Sequence, residues 1–249
     1  MKDEDVCLLV DNSNTRTKFA LGSRTGIEGL RILPTQGLSV AAVQGVISTW
    51  KFNRVCICSV VPAAMMVLAE AFRAYPVLRV SEVQRTQVDF STYPGISTLG
   101  EDRIANALAA VTLAALPVVA VDMGTATTFE VVVQRGTCPS FAGGVIAPGY
   151  KSYAACLASN TAQLPDHELV AGGPAIGRTT LEAMSAGVIS GYAGMLDALL
   201  DGIERELGER VQVVLTGGDA AFFASMLRHP AMLVSDLTLR GLALAAGLS

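Results

Sequence analysis

Asp122 is followed closely by Gly124, Thr125, Thr127 and Thr128, and residues 118–133 around them read VVAVDMGTATTFEVVV. The β-branched run predicts a strand ending at the acid, the small residues a turn, and the second apolar run a returning strand of a β-hairpin. At such a turn a carboxylate stands beside backbone N–H groups and threonine hydroxyls, and Gly124 puts no Cβ in the way of an approaching anion. That set suits a metal-bound phosphate. A lone DxGT is weak evidence, but residues 10–21, VDNSNTRTKFAL, repeat it, since aligning Val10-Asp11 with Val121-Asp122 also sets Thr17 on Thr128. The first copy offers Asp11 as an acid for a metal, with Asn14, Thr15 and Lys18 as donors for phosphate. Two copies predict an internal duplication with a nucleotide held between the halves.

A second kind of chemistry is carried by residues 93–103, YPGISTLGEDR. Here a Pro-Gly loop leads through Gly100 into a helix whose first turn holds Glu101 and Asp102. Acids at that position have an ordinary explanation, because they cap helix starts and complement the dipole. Arg103 and Tyr93 favour a further one: an ionised Asp102 can accept a hydroxyl proton while Arg103 binds developing negative charge. Gly144 to Gly149 has the spacing of a P-loop, yet Tyr150 intervenes before Lys151-Ser152, so that reading is rejected. Its glycines predict close backbone packing near a bound ligand. Thr216-Gly217-Gly218-Asp219, after an apolar run at 211–215, fits a base and ribose lying on backbone. Thr179 or Thr180 would cap a long helix running to about residue 207.

These residues need a scaffold of alternating strands and helices, the α/β pattern. Strands are expected over 6–10, 55–61 and 78–83, with further strands within 24–38. Helices are expected over 38–50, from Pro62 to about 73, and from residue 101, where Ile104, Leu108, Val111 and Ala115 share one face. The helix stops near Pro117, which sets the expected domains at 1–117 and 118–249.

The chain is 51% apolar and 16% charged. Its longest apolar candidate, 107–121, contains Thr112 and Pro117 and falls short of the roughly 20 residues a membrane span needs, so no membrane partner is expected. The acidic N-terminus is unlike a signal peptide, which makes the expected location cytoplasmic. A net charge of −4 without a basic cluster argues against nucleic acid. Five cysteines without a CxxC read as reduced structural thiols. His167 and His229 lie in loop-like contexts and are expected at the surface.

In this order the motifs resemble the type III pantothenate kinases of the actin, Hsp70 and sugar kinase superfamily, over nearly the whole chain. The family's DxGNT matches Asp11, Asn14 and Thr15, GxDR matches Gly100, Asp102 and Arg103, and DxGTAxT matches Asp122, Gly124, Thr125, Ala126 and Thr128. GGxIxPG matches Gly143, Gly144, Ile146, Pro148 and Gly149, and TGGxA matches Thr216, Gly217, Gly218 and Ala220. The resemblance implies duplicated ribonuclease H-like domains of actin/hexokinase type, with an interdomain nucleotide cleft, and phosphorylation of pantothenate by ATP with Mg2+ and a monovalent cation, K+ or NH4+. By matched position it implies catalysis by Asp102 and Arg103 and cation binding by Asp122. ATP contacts would come from Asp11, Asn12, Ser13, Asn14, Thr15, Arg16, Thr17, Lys18 and Thr125, and pantothenate contacts from Tyr93, Gly100, Glu101, Asp102, Arg103 and Thr180. A homodimer is also implied. One position departs: Ser13 stands where the family has glycine, adding a Cβ and hydroxyl to the phosphate turn. Glu101, at the variable position of GxDR, is left as a pocket residue or an exposed acid. Rival readings are a kinase for another small hydroxyl compound and a silent nucleotide-binding regulator. The intact acid, Arg and Thr set argues against the second.

Overall fold

The computed structural model describes residues 5–82, 87–161, 164 and 169–248. Val83, the expected end of one strand, and His167 lie outside them. The first sheet contains β1 (Cys7–Asn12), β2 (Arg16–Ser23), β3 (Gly26–Pro34), β4 (Arg54–Ser59) and β5 (Val77–Arg79), in the order β3-β2-β1-β4-β5. β1 pairs antiparallel with β2 and parallel with β4. Both central strands are unbroken apolar runs because both of their faces are covered. Between strands lie α1 (Val40–Ile47), capped by the Ser39 hydroxyl, and α2 (Pro62–Ala71), with proline in its first turn where no N–H is missed. α3 (Glu101–Leu113) follows.

The second sheet contains β6 (Val118–Met123), β7 (Ala126–Arg135), β8 (Cys138–Pro148), β9 (Gln212–Thr216) and β10 (Ala231–Leu233). Its order β8-β7-β6-β9-β10 repeats the first sheet strand for strand, as the duplicated hairpin predicts. The later helices are α4 (Tyr150–Asn160), α5 (Thr180–Ser185), α6 (Gly191–Leu207), α7 (Ala220–Phe223) and α8 (Leu237–Ala245), with a π-helical turn at Ala186–Ser190 joining α5 to α6.

Two compact units result. One comprises Met1–Leu113, Glu130–Gly143 and Asp236–Ser249, the other Ala114–Phe129 and Gly144–Ser235. The first division falls shortly before the expected boundary at Pro117, and the chain re-enters the first unit twice. In that unit α3 packs on α8 so closely that a Cβ at Gly241 would stand 2.0 Å from the Ala105 carbonyl oxygen.

Three sequence expectations change in the fold. Residues 107–121 divide between α3 and β6, and the long apolar helix is instead Thr180–Leu207, of 28 residues. Half of its most apolar stretch is buried, with Tyr192, Leu196 and Leu200 in the core, as in the central helix of a globular unit. Cys7, Cys56 and Cys58 are buried, and burial pushes the Cys7 thiol up to about 11, the Cys56 thiol higher still and the Cys58 thiol well above its ordinary range. Cys138 and Cys156, however, are exposed rather than structural. His229, expected at the surface, is buried with Nδ1 2.8 Å from Asp197 Oδ1.

Candidate active site

The antiparallel register of β1 and β2 sets Asp11 opposite Lys18, and their side chains pair at 3.0 Å. The turn between them is closed by the Ser13 N–H donating to the Arg16 carbonyl at 3.0 Å. Asn14, Thr15 and Arg16 are exposed at its tip. Asn12 and Thr17, expected to touch ATP, are instead buried beneath it. Asn12 Nδ2 donates to Thr17 Oγ1 at 2.8 Å, and its Oδ1 accepts from Ser59 Oγ at 2.7 Å. Thr35 Oγ1 joins them and donates to the Ser13 carbonyl at 2.7 Å. These polar side chains satisfy one another because they are buried, so they hold the shape of the turn. Among the described residues no side-chain-bearing residue has a positive φ. Ser13 therefore replaces the family's glycine without strain, and its hydroxyl bonds the Arg16 carbonyl at 3.0 Å.

The start of α3 follows the sequence expectation in position but not in every role. Glu101 is buried, accepting from the Ser59 N–H at 2.9 Å and Arg79 Nε at 3.0 Å, and also pairing with Ser81 Oγ. It is thus neither an exposed acid nor an open pocket group, because its carboxylate anchors the helix start to β4. Asp102 accepts the Arg103 N–H at 2.8 Å. A Cβ at Gly100 would meet its Oδ1 at 2.5 Å, so glycine is what lets this carboxylate fold back. Burial pushes the Asp102 carboxyl up, Asp11 adds repulsion, and the Arg103 N–H and guanidinium charge oppose both.

Arg103 is itself buried, with Nε 2.8 Å from Oε1 of Glu130 on β7. Sequence reasoning passed over Glu130, although an acid in the apolar run FEVVV was the available signal. Tyr93 meets the Phe141 ring edge-on at 5.0 Å, and Phe141 stacks on Phe90 at 5.2 Å. The YPG loop and the start of the glycine-rich strand are thereby brought together.

In the other unit the parallel register of β6 and β9 pairs Asp122 with Thr216. Gly217 follows at φ +96°, where a Cβ would lie 2.5 Å from Met123 backbone atoms and 2.6 Å from Asp122 Oδ1. Gly149 presses on the Gly124-Thr125 turn, with a would-be Cβ 2.3 Å from the Gly124 carbonyl oxygen. Asp122, the turn and two glycine motifs far apart in sequence thus form one cradle. Thr127, in the first copy's counterpart region, is buried and hydrogen-bonded to the Tyr192 hydroxyl. Thr179 caps α5 in a reciprocal capping box with Glu182, which leaves Thr180 as its exposed first residue.

Residues 7–202 match the family model described as type III pantothenate kinase. A type III pantothenate kinase of Akkermansia muciniphila is 39% identical over 246 residues, covering 97% of this chain and 98% of that protein. Among solved structures, a conserved putative Baf family transcriptional activator from Campylobacter jejuni superposes with a TM-score of 0.62 at 20% identity, covering 96% of this chain and 97% of that one. A glucokinase from an Antarctic psychrotroph gives 0.56 at 14% identity, covering 98% and 99%. The two structures show the fold, which is the duplicated ribonuclease H-like fold of the actin and sugar kinase type.

Proposed function

This chain belongs to the type III pantothenate kinase family, and we propose that Asp102 and Arg103 are its reacting pair. The enzyme is an ATP-dependent kinase that transfers the γ-phosphoryl group to the primary hydroxyl of pantothenate, giving 4'-phosphopantothenate, the first step of coenzyme A biosynthesis. The observation that carries the residue assignment is the Asp102 carboxylate, folded back over Gly100 with its affinity for a proton raised by burial.

Phosphoryl transfer has a loose transition state, so positioning and charge neutralisation outweigh a strong base. Asp102 orients the pantothenate hydroxyl and takes its proton as the new O–P bond forms. Arg103, its plane fixed through Nε by Glu130, steadies negative charge on the transferring group. Asp11 and the exposed tip Asn14-Thr15-Arg16 contact ATP in this reading, with Lys18 held close by Asp11, and Ser13 and Thr125 contribute turn donors. Asn12 and Thr17 act beneath the turn. Tyr93, Gly100 and Thr180 contact pantothenate, while Glu101 positions the helix.

Asp122 offers carboxylate oxygens, a donor type suited to a hard cation, beside a turn that Gly149 and Gly217 hold by close backbone packing. Asp122 is therefore the residue that would hold K+ or NH4+, which would supply positive charge near the phosphates, while Mg2+ would accompany ATP. The enzyme is proposed to be a cytoplasmic homodimer without nucleic-acid or membrane partners. ADP release measured with and without pantothenate, in potassium and then in sodium, tests the reading. Release should require pantothenate and be faster in potassium; equal rates in both salts would remove the cation role from Asp122.

The cradle makes its own prediction. Gly217→Ala must displace backbone and should lower kcat/KM for ATP by roughly 10- to 100-fold, the scale of an ångström-level misplacement. Gly136→Ala, at an exposed hairpin turn where nothing lies within 4 Å but φ is +59°, should cost stability and leave kcat/KM for ATP nearly unchanged. Steady-state kinetics at varied ATP compares the two.

A further inference from the structure

Away from the phosphate cradle, α6 carries Asp197, Asp201 and Glu204 along one face, and the loop before β10 brings His229 against them. The His229 side chain is only 5% exposed. Its Nδ1 lies 2.8 Å from Asp197 Oδ1, and Asp197 is fixed in turn by the backbone N–H of Arg228 at 3.1 Å. With Nδ1 engaged by Asp197, Nε2 is the ring nitrogen turned toward the remaining acids of the cluster. Nε2 has no hydrogen-bond partner, yet it stands 3.4 Å from Asp201 Oδ1 and 3.7 Å from Glu204 Oε2. A buried ring nitrogen without a hydrogen-bond partner, set between two carboxylates, is a ready-made donor for a cation placed among them.

We propose that His229 Nε2, Asp201 and Glu204 form a site for a divalent transition-metal ion such as Zn2+. Ligands about 2.0–2.1 Å from a tetrahedral zinc stand about 3.3 Å from one another. The observed separations approach that spacing, and all three ligand atoms lie within 4.8 Å of one another. One imidazole and two carboxylates are zinc donors that leave the fourth position to water. Asp197 supplies the outer carboxylate that fixes the tautomer of a metal-binding histidine. Two arginines compete for the acids: Arg228 Nη2 pairs with Asp201 Oδ2 at 2.8 Å, and Arg210 Nη1 with Glu204 Oε2 at 2.9 Å. Their side chains are 68% and 83% exposed, so both can turn into solvent when the metal enters.

The position argues for a structural or regulatory ion rather than a catalytic one. Glu204 also accepts the N–H of Val211 at 3.1 Å, just before β9 begins, and His229 precedes β10. Asp122, Thr216 and Gly217 lie at the opposite ends of the same parallel strands. Metal here would tie α6 to the starts of β9 and β10.

The test uses the full chain, stripped with a chelator and without nucleotide, with Cys138 and Cys156 changed to serine so that exposed thiolates do not contribute. Zinc is titrated against a chromophoric competitor, and thermal unfolding is followed with and without it. One equivalent should bind and raise the unfolding midpoint, and Asp201→Asn and Glu204→Gln should each weaken binding at least tenfold. His229→Gln should abolish it; if that variant does not fold, the two acid variants decide, since Asp201 is 38% exposed. Zinc binding unchanged by both acid substitutions, or no uptake by the folded parent, would overturn the site. Neither outcome bears on pantothenate phosphorylation, which is measured separately.

Discussion

Asp102→Asn should lower turnover by about 100-fold or more, the scale on which general acid and base groups act, while ATP binding should stay near that of the parent. The asparagine keeps an oxygen to accept the Arg103 N–H, so the helix start should hold its shape and the loss should fall on proton acceptance. Near-parent turnover would take Asp102 out of the reacting pair. The same substitution should raise stability at neutral pH, and the sign follows from linkage. A carboxyl whose folded pKa is raised binds more protons when folded than when unfolded, so stability falls as pH rises through the folded value. Ionised Asp102 is therefore a cost above that pH, paired with Asp11 repulsion, and asparagine removes it. Urea unfolding across neutral and acid pH should show the variant's advantage shrinking as pH falls. An advantage that grew in acid would contradict the raised carboxyl. In the parent enzyme, kcat/KM for pantothenate should decline on the acid side as Asp102 is protonated.

Glu130→Leu carries the second large effect. It leaves the buried Arg103 guanidinium without its carboxylate, and breaking a buried ion pair from one side costs about 3–5 kcal/mol. Against a total stability of about 5–15 kcal/mol, that should move the urea midpoint substantially. Arg103→Leu combined with Glu130→Leu removes both charges, so the pair should recover much of the stability without recovering turnover. A double-mutant cycle measures the coupling directly. Additive effects would show that the 2.8 Å contact contributes little, and that Arg103 is oriented by other means. Lost stability with unchanged kcat per folded molecule would separate the pair's structural role from its role in transfer.

Much of this was legible in the residues. Alternating apolar runs and their punctuation located the hairpins at Asp11 and Asp122, because a strand that must bury both faces leaves a long hydrophobic trace and an acid at its end breaks it. Repetition of that trace pointed to an internal duplication, and the two sheets carry it through to the same strand order. The acid and arginine at the start of α3 were visible through helix periodicity, and a cap was placed at Thr179 or Thr180, which the capping box with Glu182 settles as Thr179. Side-chain partners were another matter. Asn12 and Thr17 have the types of phosphate donors, and only their burial with Thr35 and Ser59 assigns them to the underside of the turn. Glu101 and Asp102 are neighbours in one motif, yet Arg79 and Ser81 hold the first while the second folds back to accept the Arg103 N–H.

The sequence by itself determined the order of elements, the duplication and the set of residues able to handle phosphate and a hydroxyl, since local periodicity, turn chemistry and motif spacing are properties of the chain. Tertiary structure decided which of those groups are spent on one another. Glu130 reaches Arg103 from a different strand, Gly217 closes on Asp122 from almost a hundred residues away, and His229 meets the acids of α6. Such pairings arise from packing, and burial forces every polar group into a partnership that no linear spacing records.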